Sequence, residues 1–423
     1  MTKVYKFGGA SVKDANAVKN VGDIIQLTND NLLVVISAMG KTTNALEKVA
    51  EAYFNRDKKC VVYLEEVKKY HFDILNDLFE NKKHPIFNEI HNTFIEIEWE
   101  IETEPTREYD YVYDQIVAVG ELLSTKIVSS YLNEVSIKNE WIDVRTIIQT
   151  DNTYRNAKIN WTLTEQLTQK IIQPLFNKKE QTILITQGFI GSSSELFTTT
   201  LGREGSDFTA GIMAYCINAE SVTIWKDVPG MLNADPKWFD DTKKIDNISY
   251  HEAVELAYYG ASVIHPKTIK PLHNKNIPLY IKSFVSPHEE GTLINNNTIK
   301  DEAIPSFIFK MNQALISIAA IDYSFIVEDN LSQIFGVFAN LGITINLMQN
   351  SAISFSVCID FDNQKFPKLI EELRKDYKVL YNENLELVTI RHYDQQTIDR
   401  VTLHKKIIVE QKSRNTARLV MKN

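Results

Sequence analysis

Cysteine is scarce in this sequence, and long apolar runs are missing. Three cysteines occur among the 423 residues, Cys60, Cys216 and Cys358, and they lie far apart. An odd number at these spacings argues against a disulfide framework and against a CxxC metal site, so we expect small buried thiols in a reducing cytoplasm. No apolar stretch is long enough to span a bilayer, and the N-terminus shows no signal-peptide pattern.

A clustered basic surface is also missing, since the formal net charge is -9 and no long run of lysine or arginine occurs. Neither nucleic acid nor a membrane is therefore an expected partner. Hydrophobic residues make up 44% and charged residues 24%, which is ordinary for a globular protein. A chain of 423 residues exceeds one ordinary hydrophobic core, which predicts two or three domains.

Apolar residues in the first part of the chain alternate between strand-like and helical spacing. Residues 31–37 carry the continuous apolar run LLVVI, which is typical of a strand buried on both faces. Residues 14–27 have apolar side chains at helical spacing. This alternation predicts a mainly parallel sheet covered by helices, an α/β domain over residues 1–290 in which residues 58–102 form a helical excursion.

The pattern changes after a polar segment rich in turn residues, for which we predict a linker over residues 291–305. Strand-like and helical runs then follow in the order β-α-β-β-α-β over residues 306–384, the order of a ferredoxin-like α+β unit. The remaining residues, 385–423, have strand-like runs but are too few for a second full copy of the unit.

Ligands of an open parallel sheet bind beyond the carboxyl ends of its strands, and the first candidate segment lies at such an end. Gly8 and Gly9 let the backbone approach an anion closely, and the following helix offers unpaired N–H groups. Lys6 adds a positive charge, so the segment suits a phosphate group undergoing transfer. Judged alone, the glycines are those of a simple strand-to-helix turn.

Two further segments carry candidate side chains. In residues 202–210, Arg203 can grip a carboxylate through two hydrogen bonds, while Ser206 and Asp207 suit either a helix N-cap or a catalytic role. Asp227 follows a strand and precedes a Pro-Gly turn. It could reach a ribose hydroxyl or a nucleotide-bound cation, or it could belong to the turn alone.

Three more polar residues stand at positions that suit a small substrate. Glu121 lies within an apolar stretch, where a carboxylate needs a partner. It could accept hydrogen bonds from the ammonium group of an amino acid, or it could lie on the polar edge of its helix. Ser37 and Thr43 place hydroxyls at a strand end and a helix start, where they hold substrate or cap the helix.

Six motifs occur in one order over residues 1–285: KFGGASV, VVISAMGKTTN, VGELLS, LGREGSDFTA, WKDVPGMLNADP and YGASVIHPKT. Together they resemble the catalytic domain of monofunctional aspartate kinases (aspartokinases), and the ferredoxin-like unit resembles the ACT domain that follows it in that family. The resemblance implies an amino-acid kinase fold, a mainly parallel three-layer sandwich, followed by an ACT regulatory unit. Residues 385–423 then resemble a truncated second ACT unit, which residues 306–311 would complete.

The same resemblance implies the reaction, in which the γ-phosphoryl group of ATP passes to the β-carboxylate of L-aspartate to give 4-phospho-L-aspartate. This is the first step of the diaminopimelate pathway to lysine, threonine and methionine. We expect Mg²⁺ to be carried mainly by ATP, because no compact carboxylate cluster occurs. Two alternatives remain: another amino-acid kinase of the acetylglutamate or glutamate type, and a catalytically silent ACT-type amino-acid sensor.

Residue roles follow from the matching motif positions. The expected catalytic residues are Lys6, Arg203 and Asp207. The expected substrate-binding residues are Ser37, Thr43, Glu121, Arg203 and Ser206. The expected nucleotide-binding residues are Lys6, Gly8, Gly9, Lys226, Asp227, Leu232, Lys237 and Ser262. Many family members have lysine at the position of Ser262, so a nucleotide contact is lost or Lys267 supplies it.

Regulation and assembly are also family expectations. ACT units commonly bind amino acids at their interfaces, so we expect a homodimer or a higher homo-oligomer with an amino-acid effector. Lysine-sensitive relatives have acidic groups at the positions of Asn346 and Ala352, and this chain does not. The prediction is weak or no inhibition by lysine.

Overall fold

The computed structural model describes residues 1–177, 180–261, 264–322 and 324–422. Its contacts divide the chain into two compact units. The first unit contains Met1–Met231, Lys244–Val254 and Val263–Thr298, and the second contains Leu232–Lys243, Glu255–Ser262 and Ile299–Asn423. The second unit therefore takes two short segments from the part of the sequence that lies before residue 290.

The first 298 residues alternate strands and helices, as their spacing predicts. The strands are β1 (Thr2–Phe7), β2 (Asn31–Ile36), β3 (Glu140–Ile142), β4 (Gln149–Thr150), β5 (Ile183–Gln187), β6 (Ile190–Ser193), β7 (Thr198–Thr200), β8 (Ser221–Lys226), β9 (Asn247–Ser249), β10 (Leu279–Ser283) and β11 (Thr292–Asn295). The helices are α1 (Ala15–Ile25), α2 (Thr42–Phe54), α3 (Lys59–Leu78), α4 (Pro85–Glu102), α5 (Tyr109–Val117), α6 (Val119–Glu134), α7 (Trp161–Ile171), α8 (Gln173–Phe176), α9 (Gly205–Ile217), α10 (Tyr250–Tyr259) and α11 (Pro266–Asn274).

Eight strands form one sheet in the order β3-β5-β2-β1-β8-β10-β11-β9. Its neighbours are parallel except for the antiparallel pair β10 and β11. The apolar residues of β2 are fully buried, because a central parallel strand is covered on both faces. A smaller sheet has the order β4-β6-β7. The carboxyl ends of β1, β2 and β8 therefore lie side by side.

Residues 58–102 form α3 and α4, two helices that pack on the main core through aromatic side chains such as Phe72 and Phe94. Residues 291–305, for which polar composition predicted a linker, begin with the strand β11. The polar side chain that misled the prediction is Thr292, which is buried but hydrogen-bonded. Its hydroxyl donates to the carbonyl of Ile245 (2.5 Å) and accepts from the N–H of Met231 (2.8 Å).

The second unit contains an antiparallel sheet, with α helices, after residue 305. Its elements are β12 (Ser306–Ala320), α12 (Glu328–Asn340), β13 (Ile345–Asn350), β14 (Ser354–Asp360), α13 (Lys365–Leu373), β15 (Tyr377–Arg391), α14 (Gln395–Thr402), β16 (Lys406–Lys412) and β17 (Thr416–Lys422). The strand order is β13-β14-β12-β15-β17-β16. The predicted fold class, a mainly parallel α/β domain followed by an ACT-like α+β domain, is confirmed.

Two strands in this sheet are longer than the sequence indicated, because β12 and β15 each continue across 15 residues. Ser306–Lys310 pairs with Leu387–Arg391, and the pairing resumes with a register shift after Gln313. The helix α14 was not predicted. The three cysteines are unpaired and buried, as their scarcity suggested. Among the described residues, no helix combines the length and apolar character needed to cross a membrane.

Candidate active site

Two lysines and one aspartate form an ion cluster at the carboxyl ends of β1 and β8. Lys6 lies near the end of β1, Lys226 ends the neighbouring strand β8, and Asp207 lies in the first turn of α9. The Nζ of Lys6 is 2.6 Å from Oδ1 of Asp207, and the Nζ of Lys226 is 3.7 Å from Oδ2. Asp207 is only 3% exposed.

Burial alone would raise the pKa of Asp207, but the charges and hydrogen bonds of Lys6 and Lys226 outweigh it and hold the pKa below its ordinary value. Asp207 is therefore an ionised carboxylate that fixes two ammonium groups at the rim of the sheet.

The loop after β1 packs directly against the loop after β2. A Cβ atom on Gly9 would lie 2.6 Å from the carbonyl oxygen of Gly40 and 2.8 Å from that of Ala38, so glycine is required there. The N–H of Gly40 donates to the carbonyl of Gly9 at 3.0 Å. At Gly8, a Cβ atom would lie 3.4 Å from the Nζ of Lys6, which places this backbone beside the ammonium group.

Glu121 is a buried carboxyl group with one free oxygen. It lies in the first turn of α6, which begins after Ala118 separates it from α5, and it is 2% exposed. Its Oε1 accepts from the N–H of Ala38 at 3.3 Å, while Oε2 has no hydrogen-bond partner among the described residues. Burial raises the pKa of Glu121 to about 8, against smaller lowering effects from the N–H of Ala38 and the charge of Lys6. Such a group would gain from a cationic partner.

The loop that carries Arg203 has an unusual backbone. Both Gly202 (φ 77°) and Glu204 (φ 54°) are in the left-handed region, and α9 begins at the next residue. A Cβ atom on Gly202 would lie 2.8 Å from Oδ1 of Asn156, so the loop also packs closely against a neighbouring segment. These constraints hold the Arg203 side chain at the start of α9.

A cavity of about 570 Å³ collects most of the predicted site residues. Its walls include Lys6, Gly9, Ser37, Thr43, Glu121, Arg203, Ser206, Asp207 and Lys226. The ammonium group of Lys6 and the guanidinium of Arg203 therefore face one cavity, which is the arrangement that an anionic substrate and an anionic phosphate need.

Five predicted residues are not among the cavity's lining. Gly8 lies behind it, against Lys6, and Asp227 is exposed beyond the end of β8. Leu232 and Lys237 belong to the second unit, and Ser262 lies outside the described residues. Their nucleotide contacts stay predictions. Lys267 donates to Oδ1 of Asn156 at 2.6 Å.

Arg155 lines the cavity and was missed in the sequence. Its backbone is left-handed (φ 63°), and its N–H donates to both oxygens of Asp114 at 3.1 Å. Its guanidinium lies 4.5 Å from the ring centre of Tyr113 and 3.3 Å from Asp110. The available signal was Asp114 itself, an acidic residue between apolar residues of α5.

Asp114 is fully buried and also accepts hydrogen bonds from the N–H and hydroxyl of Thr200, at 2.8 and 2.7 Å. Burial raises its pKa to about 6, although these hydrogen bonds act in the opposite direction. Asp114 thereby joins α5, the segment around Arg155 and β7 behind the cavity.

The cavity offers little to a metal ion by itself. No group of three or more His, Cys, Asp or Glu side chains suited to a metal occurs among the described residues. Both oxygens of Asp207 face ammonium groups. This donor set fits a Mg²⁺ ion whose ligands come mostly from phosphate oxygens and water.

Comparison with known proteins agrees with this geometry. Residues 1–283 match the model of the amino acid kinase family. Lysine-sensitive aspartokinase 3 of Escherichia coli (strain K12) is 32% identical over 396 residues, covering 92% of this chain and 86% of that protein. The chloroplastic aspartokinase 2 of Arabidopsis thaliana is 31% identical over 377 residues, covering 85% of this chain and 66% of that protein.

Solved structures give the same result. E. coli aspartokinase III in complex with lysine and aspartate (T-state) has a TM-score of 0.83 at 29% identity and covers 99% of this chain and 95% of its own. The same enzyme with aspartate and ADP (R-state) has a TM-score of 0.81 at 29% identity, with 99% and 96% covered. The chain therefore belongs to the amino acid kinase family. Within that family its place is among the aspartokinases, so the resemblance seen in the sequence is confirmed.

Proposed function

We propose that this kinase transfers the γ-phosphoryl group of ATP to the β-carboxylate of L-aspartate, giving 4-phospho-L-aspartate for the biosynthesis of lysine, threonine and methionine. The observation that carries the proposal is the shared cavity of Lys6, Arg203 and Glu121. Two cations and a buried carboxyl group with a free oxygen match the two carboxylates and the one ammonium group of aspartate.

The chemistry requires positioning and charge neutralisation more than proton transfer. The side chain of aspartate is ionised near neutral pH, so it can attack phosphorus without a general base. Its obstacle is repulsion from the phosphate oxygens, which Lys6 would reduce in the transition state. Asp207, at 2.6 Å from the Nζ of Lys6, would hold that ammonium group at the point of transfer.

The other groups would orient the substrates. Arg203 would bind a carboxylate of aspartate through its planar fork, and Glu121 would accept hydrogen bonds from the ammonium group. Ser37, Thr43 and Ser206 would supply hydroxyls. Gly8, Gly9, Lys226 and Asp227 would lie on the nucleotide side, together with Leu232, Lys237 and Ser262. Mg²⁺ would arrive with ATP and neutralise charge on its phosphates.

A substrate panel tests the proposal directly. Purified chain is mixed with ATP and Mg²⁺, and ADP release is followed with aspartate, glutamate, N-acetylglutamate or no acceptor, with hydroxylamine present to trap acyl phosphate as the hydroxamate. We expect ADP and hydroxamate to form in equal amounts with aspartate. Preference for glutamate or N-acetylglutamate would support another amino-acid kinase, and no turnover with any acceptor would support a silent sensor.

We also propose that lysine inhibits this kinase weakly or not at all. The side chain of Asn346 is already engaged within the second unit, because it accepts from Lys310 (2.8 Å) and donates to Gln313 (2.8 Å). It is amide rather than acid, so it offers no negative charge to an effector ammonium group. Inhibition of the purified kinase at low lysine concentration would contradict this proposal.

Assembly and compartment are part of the same proposal. Phe325, Phe335 and Met348 of the second unit are 68%, 40% and 52% exposed, which favours burial between copies in a homodimer or larger homo-oligomer. Light scattering of the purified chain measures its mass in solution. The unpaired thiols suit the reducing cytoplasm.

A further inference from the structure

A second cavity, of about 750 Å³, lies in the first unit among α7, α9 and α11. It shares no lining residue with the active-site cavity. Its volume falls in the range of about 300–1,000 Å³ that small-molecule sites occupy. The kinase reaction described above gives this cavity no role.

One wall of the cavity is aromatic. Trp161 of α7 meets Phe208 and Tyr215 of α9 edge to face, with ring centres 6.3 and 5.4 Å apart. Trp161 remains 38% exposed, although the burial of so large a ring is favourable. Such a wall offers ring faces and edges to a planar aromatic ligand, and stacking of one nucleobase on an aromatic side chain is worth about 1–3 kcal/mol.

The rest of the lining carries an excess of positive charge. Lys158, Lys267 and Lys270 line the cavity, and none of them forms an ion pair with a described residue. Lys267 has a neutral partner, the amide oxygen of Asn156 at 2.6 Å. The acidic residue among the described lining is Glu165, which pairs with Lys275 at 3.3 Å.

We propose that this cavity is a second ligand site, which binds a small anion joining a planar ring to a phosphate group, as in a nucleoside monophosphate. The ring would pack against Trp161, Phe208 and Tyr215. The phosphate would bind the three lysines, whose combined charge suits a dianion better than a single carboxylate. Because these ammonium groups are partly exposed, binding should weaken as salt is added.

Calorimetric titration of the full-length chain with adenosine monophosphate tests the site, with adenosine and inorganic phosphate as half-ligand controls. The test variants are Trp161→Ala and the charge reversal Lys158→Glu/Lys270→Glu. Each should weaken binding of adenosine monophosphate by about tenfold or more while leaving KM for ATP unchanged. The control variant Lys19→Glu reverses an exposed charge on α1 and should bind the nucleotide normally.

The two half-ligands should each bind more weakly than the whole nucleotide. The charge-reversal variant changes exposed side chains, so it keeps the test informative if Trp161→Ala fails to fold. The proposal is overturned if wild type binds no adenosine monophosphate, or if both variants bind it as wild type does. Binding that survives in both variants and is displaced by ADP belongs to the catalytic cavity and also overturns it.

Discussion

At the scale of single residues, the site depends on charges that are paired before any substrate arrives. Asp207 neutralises Lys6 and Lys226 at the rim of the sheet, so two ammonium groups can lie together in a mostly buried position. The sequence identified these residues through their motifs. It gave no access to Arg155, because the turn that brings Arg155 to the cavity depends on a hydrogen bond to the distant Asp114.

The substitution Lys6→Ala tests the catalytic charge. We expect kcat to fall by about 10³-fold or more, because charge stabilisation in the transition state is lost. The fold should persist, since Lys226 still faces Asp207. Steady-state kinetics measure the loss, and circular dichroism monitors the fold. Lys19→Ala, on the surface of α1, is the control, and near-normal turnover of Lys6→Ala would refute the role of Lys6.

The raised pKa of Glu121 predicts a pH dependence of aspartate use. With a pKa of about 8, the free enzyme holds Glu121 protonated below that pH, and only the ionised form attracts the substrate ammonium group. We therefore expect kcat/KM for aspartate to rise from about pH 6.5 to about pH 8.5, since this ratio reports ionisation in the free enzyme. Glu121→Gln should lower the ratio and remove this rise. A flat wild-type profile over the same range would contradict the assignment.

Glu204 pays a conformational cost that glycine would avoid. Its left-handed backbone (φ 54°) is unfavourable for a residue with a Cβ atom, and its Oε2 is buried without a partner among the described residues. We expect Glu204→Gly to raise the free energy of unfolding by about 1 kcal/mol. Urea denaturation measures it. The same change at Glu96, within α4, should instead destabilise by about 0.5–1 kcal/mol, and stabilisation at both positions would exclude the backbone explanation.

At the scale of secondary-structure elements, the sequence predicted what depends on local spacing and missed what depends on pairing. The buried run of β2 and the helices of residues 58–102 were readable because apolar periodicity specifies them. The continuity of β12 and β15 was not, since polar residues near Gln313 and Asn384 interrupt the pattern while each strand continues along its partner. The strand β11 was hidden because a buried hydroxyl, that of Thr292, resembles surface polarity in a sequence.

The contact that joins α5 to β7 should be sensitive to the charge of Asp114. An asparagine has one acceptor oxygen in place of two, so the N–H groups of Arg155 and Thr200 could not both keep their bonds. We expect Asp114→Asn to cost about 1–3 kcal/mol in the free energy of unfolding and to speed amide exchange at Arg155. Asp110→Asn is the matched control one turn away, where an exposed ion pair contributes about 0–1 kcal/mol. Equal losses in the two variants would argue against the buried contact.

At the scale of the whole molecule, a boundary drawn along the sequence differs from the division of the fold. Polar composition suggested that a catalytic domain ends near residue 290, yet Leu232–Lys243 belongs to the second unit. There Phe239 stacks on Phe307, with ring centres 4.5 Å apart, and Asn233 donates to the carbonyl of Pro305 at 2.8 Å. Such distant pairing has no signature in composition.

Truncation after residue 298 should therefore harm the fold of what remains. The cut leaves Phe239 without its stacking partner and Asn233 without its acceptor, and we expect residues 1–298 to bind an apolar dye and to melt below the full chain. Co-expression of residues 299–423 as a separate fragment should restore the melting temperature. A fragment of residues 1–298 that melts like the full chain would show that the segments around 232–243 need no such partners.

The burial of the three thiols has a practical consequence for following this kinase in solution. Burial raises the pKa of Cys216 to about 11 and that of Cys358 to about 12, and it raises the pKa of Cys60 as well. Alkylating reagents attack thiolates, so the natural chain should be almost inert to maleimides near neutral pH. One cysteine placed at an exposed position, such as Lys19→Cys, would then carry a single fluorophore and report on domain movement without removal of any native residue from the core.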